Sequence, residues 1–108
     1  MTDHELLELA AKAAGVESRK TPSKTLLARF GVTEWVEWNP LTDDGDALRL
    51  AVKLGLQIEI NTKVLGDTLV ISEFYDNVEC HNSDPYAATR RAIVKAAAEI
   101  GKPMEVTK

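Results

Sequence analysis

Three strand-like segments between residues 56 and 81, with helical patterns on both sides, constrain the fold of this chain more than any other feature. Residues 56–61 alternate apolar and polar side chains, which is typical of a strand with one dry face. Residues 68–75 contain three consecutive apolar side chains and predict a strand covered on both faces. Residues 76–77 predict a hairpin turn into a shorter strand over 78–81. Strands joined by hairpins predict an antiparallel sheet.

Helices are predicted at both ends of the chain. Thr2 and Glu5 have the spacing of a capping box, and the apolar periodicity that follows predicts a helix over residues 3–14. Near the other end, Asp84 and Pro85 are typical of a helix start. Helical periodicity continues from there to Gly101, where we expect the helix to end in a short tail.

A further helix is predicted directly before the strands. Residues 42–44 supply a capping hydroxyl and two carboxylates, and Gly55 is typical of a left-handed C-cap. Between them only Asp46, Arg49 and Lys53 are polar, and these form one narrow stripe. The pattern therefore predicts a helix that is mostly buried.

The region between the first two predicted helices has the weakest pattern. Residues 16–33 are largely polar and include Pro22, so we expect a mobile loop there. Residues 34–38 follow as a short aromatic piece with strand character, stopped by Asn39 and Pro40. The order of elements predicts an α+β fold, with three helices and a small antiparallel sheet of three or four strands.

Composition narrows the class of protein. The chain has 108 residues, 44% of them hydrophobic and 28% charged, which predicts a single globular domain over residues 1–108. Its formal charge of -4 makes nucleic acid an unlikely partner, because phosphate backbones usually require a basic face. The acidic N-terminal pattern and the absence of a long apolar run predict neither a signal peptide nor a membrane span. Cys80 is the only cysteine, which suits a reducing cytoplasm.

Four stretches of the chain resemble a known family. They are WNPLTDDGDALRLAV at 38–52, DPYAATRRAIV at 84–94, AAAEIG at 96–101 and ELLELAAKAAG at 5–15, together roughly half of the chain. In these stretches the sequence resembles the phage ABA-sandwich domain, a family of small phage and prophage proteins. The resemblance implies a three-layer α/β/α sandwich and a location in the bacterial host cell, and it implies no catalytic residue.

Two groups of residues are candidates for binding in the middle of the chain. Trp35 and Trp38, with Asn39 and Leu41, predict a partner-binding segment, because aromatic residues with a polar end are favoured at interfaces. The alternative is that the tryptophans anchor the loop or cover the core edge. Three carboxylates surround Gly45, as in some Mg²⁺ or Ca²⁺ sites, but a helix start explains them without a metal.

Two further groups lie near the C-terminal helix. Cys80 and His81 are adjacent on a predicted strand and so point to opposite faces, which predicts a buried thiol and a surface imidazole instead of a shared site. Arg90, Arg91 and Lys95 are candidates for contact with an anion or an acidic partner. The alternative is a solvated helix face on which Glu99 neutralises Lys95.

These observations predict a phage or prophage accessory protein that binds a protein partner, or itself, without catalysis. No nucleophile elbow, phosphate loop or metal-ligand spacing is present in the sequence, so we expect no catalytic residue, no metal and no cofactor. One alternative is a protein that binds a small molecule or nucleotide through its arginines or carboxylates. A second alternative is a metal-dependent enzyme that uses Asp43, Asp44 or His81.

Overall fold

The computed structural model describes residues 2–21, 26–30, 34–61, 66–72, 76–82 and 84–106. For residues 104–106 it describes the backbone and not the side chains. Within these residues the chain forms three helices and six short strands. In chain order they are α1 (Asp3–Ala14), β1 (Glu17–Lys20), β2 (Leu26–Arg29), β3 (Val36–Glu37), α2 (Asp44–Leu54), β4 (Gln57–Asn61), β5 (Asp67–Ile71), β6 (Asp76–Cys80) and α3 (Pro85–Val106). The predicted α+β fold with three helices is confirmed.

The strands form two antiparallel sheets of three strands each, in the orders β1-β2-β3 and β4-β5-β6. The second sheet is the predicted one. The first sheet corrects the prediction of a loop, because β1 and β2 lie inside residues 16–33. All four side chains of β1 are exposed, so this edge strand carries no apolar alternation that a pattern could reveal.

The second sheet differs in detail from the predicted strands. β6 begins at Asp76, and Asn77 lies opposite Val70, so the predicted turn at 76–77 is wrong. In β5, Thr68 and Val70 are buried, while Leu69 and Ile71 on the other face are only partly buried. The strand is therefore fully covered on one face and not on both. Residues 73–75 of the predicted strand lie outside the described residues.

Helix α3 is the element around which the rest is arranged. It packs against α1, α2, β5 and β6, and α1 in turn contacts β1 and β2. The core contains mostly alanine and leucine from α1 and α3 with a few side chains from α2, β2 and β5. The helix–sheet–helix layering implied by the family resemblance stays a prediction.

The length of α3 corrects the predicted end at Gly101. The helix continues through Gly101 and Pro103 to Val106. Gly101 has no left-handed backbone and so is no C-cap. A Cβ at this position would overlap the carbonyl oxygen of Leu9 in α1, so the glycine serves the close approach of the two helices. None of the helices in the described ranges is long and apolar enough to cross a membrane.

Candidate functional site

An open groove lies between the N-terminal halves of α2 and α3, beside two side chains of β4. Its volume is about 360 Å³. Apolar side chains dominate its lining, and four of the lining residues carry polar side-chain groups. The lining residues are Asp44, Ala47, Leu48, Ile58, Ile60, Pro85, Tyr86, Thr89, Arg90 and Ile93. We call this feature the α2–β4–α3 groove.

Large apolar side chains are unusually exposed at this groove. Leu48 is 62% exposed, Ile60 56% and Tyr86 70%, and Val52, one turn beyond Leu48 on α2, is 72% exposed. The prediction of a mostly buried α2 is therefore wrong, and Ile60 is exposed although it lies on the predicted dry face of β4. Soluble proteins rarely leave such side chains together in water unless something else covers them.

The loop before α2 and the first turn of that helix are held by a chain of hydrogen bonds. Asp43 caps the helix, its Oδ2 accepting from the backbone N–H of Asp46 at 2.8 Å. Asp46 in turn accepts from the backbone N–H of Asn39 at 3.0 Å and from Arg49 at 2.8 Å. Asn39 Oδ1 accepts from the backbone N–H of Leu41 at 3.0 Å. Asn39 and Leu41, predicted as partner-binding residues, thus shape the start of α2.

The predicted cluster of three carboxylates is divided between separate tasks. Asp43 and Asp46 serve the helix start, and Asp44 pairs with Arg90 of α3. In the described part of the chain, no group of three histidine, cysteine, aspartate or glutamate side chains lies close enough to hold a metal ion.

Arg90 ties α3 to the loop before α2. Its Nε donates to the carbonyl oxygen of Leu41 at 2.8 Å, and its Nη1 donates to Asp44 Oδ1 at 2.6 Å. The Arg90 side chain is mostly buried, whereas Asp44 is exposed at the rim of the groove. This fork of contacts fixes the distance between the two helix starts and so keeps the groove open.

Arg91 and Lys95 do not join Arg90 in one site. Arg91 pairs with Asp3 of α1 at 3.1 Å, and Lys95 pairs with Glu79 of β6 at 2.6 Å. Glu99, the expected counter-ion of Lys95, pairs instead with Lys102. Each of the three predicted cations thus faces its own carboxylate, and contact with an anionic partner stays a prediction.

A buried hydrogen-bond network lies beneath the groove. Thr68 Oγ1 is hydrogen-bonded to His81 Nε2 at 2.7 Å and to Thr89 Oγ1 at 2.8 Å. Thr89 lines the groove, whereas Thr68 and His81 are buried. Cys80 is exposed, so the predicted buried thiol and surface imidazole are reversed. The two adjacent side chains do point to opposite sides, but His81, the first residue after β6, faces the core and Cys80 does not.

The two tryptophans have different environments. Trp38 is 3% exposed and belongs to the core, and its backbone N–H donates to Leu26 at 2.9 Å. Trp35 is half-buried, and two guanidinium groups contact its ring, that of Arg19 at 4.5 Å and that of Arg29 at 4.9 Å from the ring centroid. Trp38 therefore anchors the fold, which is the alternative that the sequence left open. Binding of a partner at Trp35 stays a prediction.

Sequence reasoning missed Leu48, Ile60 and Tyr86 as candidate site residues. The available signal was an excess of apolar positions: α2 has only two polar side chains after its first turn, Arg49 and Lys53, and β4 has an apolar face. Such a pattern predicts that α2 is buried by other parts of the same chain. It is equally the pattern of a surface that becomes buried only when a second molecule covers it.

No protein-family model, curated protein or solved structure matches this chain. The resemblance to the phage ABA-sandwich domain therefore stays a prediction.

Proposed function

We propose that this protein is a protein-interaction module that holds a segment of a partner protein in the α2–β4–α3 groove. The observation that carries the proposal is the exposure of Leu48, Ile60 and Tyr86 around one apolar groove. An exposed apolar surface rimmed by polar residues is typical of a protein-binding site. Aromatic anchors such as Tyr86 often dominate the binding energy of such sites.

The surroundings of the groove suit reversible binding. Arg90 and Asp44 already neutralise each other at the rim, so an apolar segment can enter without leaving a single buried charge unpaired. The Arg90 contacts also hold α2 and α3 in place before a partner arrives. A preorganised groove loses less conformational entropy on binding. Together with the family resemblance, this supports a role as a phage or prophage accessory protein in the bacterial host cell.

A small apolar molecule is a second candidate occupant. The groove volume of about 360 Å³ is within the range of small-molecule sites, and Thr89, Arg90 and Asp44 supply polar groups at one place. This candidate keeps the same site and changes only the class of ligand.

Affinity capture with matched surface variants tests the proposal. The tagged protein, a Leu48→Ser/Tyr86→Ser variant and a Val36→Ser/Val78→Ser control are each used to capture proteins from the cells that naturally make the chain. Val36 and Val78 are exposed apolar residues away from the groove. We expect a partner that binds the wild type and the control and is lost from the groove variant.

Two results would contradict this function. A captured partner that all three proteins retain would bind elsewhere on the molecule. A small molecule that native mass spectrometry finds on the wild type and not on the groove variant, with no protein partner, would support the second candidate instead.

A further inference from the structure

The outer edge of β4 is open beside the groove. β4 pairs with β5 on one side, and among the described residues no strand pairs with its other edge. Ile58 lies opposite Val70 and Ile60 opposite Thr68, and Thr68 contacts Thr89 of α3. Ile58 and Ile60 are therefore on the sheet face that the helices cover.

The helix layer is wider than the sheet beneath it. Packed helices lie about 8–10 Å apart and neighbouring strands about 4.8 Å apart, so two packed helices cover about four strands. α3 packs on β5 and β6, α2 packs on α3, and the sheet ends at β4 after three strands. One more strand beside β4 would bring apolar side chains to Leu48, Val52 and Ile60, the residues that are now exposed.

We propose that the occupant of this site is an extended segment of a different protein that pairs with β4 as an additional strand. The inference rests on the proposed function, which it makes more specific. Backbone hydrogen bonds to β4 would supply affinity, and alternate side chains of the segment would enter the α2–β4–α3 groove.

Glu59 indicates which side chains the segment carries. It lies at the centre of β4 on the face away from the helices, is exposed, and makes no salt bridge within the described ranges. A basic residue directly across from it would be stabilising. The segment therefore alternates apolar residues, which face the groove, with lysine or arginine, which faces Glu59.

Charge also argues against a second copy of this chain as the occupant. Pairing Ile58 with Ile60 of another copy places Glu59 opposite Glu59, and like charges directly across a sheet are destabilising. Each copy also carries a formal charge of -4. A basic partner strand has neither disadvantage.

A charge exchange tests the proposal. Two short blocked peptides serve as probes, one alternating valine with lysine and the other valine with glutamate. Binding to wild type, Glu59→Lys and Leu48→Ser is measured by calorimetry, after circular dichroism has confirmed folding. We expect the lysine peptide to bind wild type and to lose about fivefold in affinity with Glu59→Lys, which in turn gains affinity for the glutamate peptide. Leu48→Ser should weaken both peptides about tenfold.

Hydrogen exchange at the β4 amides supplies an independent readout, because an added strand protects N–H groups that now face solvent. The proposal is overturned if neither peptide binds at about millimolar concentration, or if the peptide affinities do not change with the charge at position 59. It is likewise overturned if the β4 amides gain no protection from hydrogen exchange when peptide is added. It is also overturned if sedimentation shows a dimer that Leu48→Ser dissociates. A captured partner that still depends on Leu48 and Tyr86 would in those cases leave the proposed function intact and exclude only strand addition.

Discussion

Helix α3 takes part in two interfaces that are built in different ways. Against α1 it packs closely, and Gly101 brings its backbone against the backbone of Leu9. Against α2 and β4 it leaves a groove with Leu48 and Ile60 in water. The first interface is completed within the chain. The second leaves large apolar side chains in water, so the apolar residues of one small domain do not all contribute equally to its internal stability.

Two leucines on α2 show this difference between the interfaces most clearly. Leu50 is buried in the core, and Leu48 is exposed at the groove. We expect Leu50→Ala to lower the free energy of unfolding by about 2–5 kcal/mol, because it leaves a cavity. Leu48→Ala should change it by no more than about 0.5 kcal/mol. Urea denaturation of both variants measures the difference, and an equal loss of stability would mean that the groove is part of the core.

Two glycines allow the same comparison between helices. We expect Gly101→Ala to destabilise the protein by about 3 kcal/mol, because the new methyl group would overlap the backbone of Leu9. Gly45→Ala is the comparison variant, since its methyl group would meet only side-chain atoms, those of Arg49 and of the capping Asp43, at 3.2 Å. We expect it to lower the free energy of unfolding by at most about 1 kcal/mol, because these side chains can shift more easily than the backbone of Leu9. Thermal unfolding of the pair checks the prediction, which fails if Gly101→Ala unfolds at the wild-type temperature.

Neighbouring arginines on α3 distinguish the two interfaces by charge. Arg90 is mostly buried and is hydrogen-bonded to both Leu41 and Asp44, so Arg90→Ala should lower the free energy of unfolding by about 2 kcal/mol. Arg91 pairs with Asp3 at the surface, so Arg91→Ala should cost at most about 1 kcal/mol. Chemical denaturation compares the two variants. If Arg91→Ala lost more unfolding free energy than Arg90→Ala, this would contradict the role assigned to Arg90 in holding the helix starts together.

A small pH effect is expected at the start of α1. Hydrogen bonds from the backbone and hydroxyl of Thr2 lower the pKa of Glu5 from its usual 4.5. The lowered pKa means that the charged form stabilises the fold at pH values above about 4.5, and that this contribution is lost as pH falls through the pKa in the folded state. Unfolding curves of wild type and Glu5→Gln should therefore converge on acidification. Curves that stay equally far apart at every pH would exclude this contribution.

Local patterns explain most of what the sequence predicted correctly. The Thr2–Glu5 capping box, the Gly55 C-cap of α2 and the Asp84 bonds to the first turn of α3 are all present, although the N-cap of α2 is the Asp43 carboxylate and not the predicted hydroxyl of Thr42. Each depends on residues within a few positions of one another, so spacing alone reveals it. The alternation of β4 was visible for the same reason.

The errors arise where one element depends on another that is distant in sequence. The local pattern predicts a helix end at Gly101, because its actual role is a close approach to Leu9 in α1 that the neighbouring residues do not reveal. The exposure of Leu48 depends on where α3 and β4 lie beside α2, which the residues of α2 do not encode. For Cys80 and His81 the alternation was correct, but which of them faces the core depends on α3 and Thr68.

The two tryptophans have a practical consequence for following this molecule in solution. Trp38 is enclosed in the core, the ring of Trp35 contacts the guanidinium groups of Arg19 and Arg29, and neither tryptophan lines the α2–β4–α3 groove. Tryptophan fluorescence should therefore change on unfolding and hardly change when the groove is occupied. Tyr86 lines the groove, so the NMR signals of its ring should shift on occupancy. The chain thus carries separate spectroscopic reporters of its own stability and of the occupancy of its proposed binding surface.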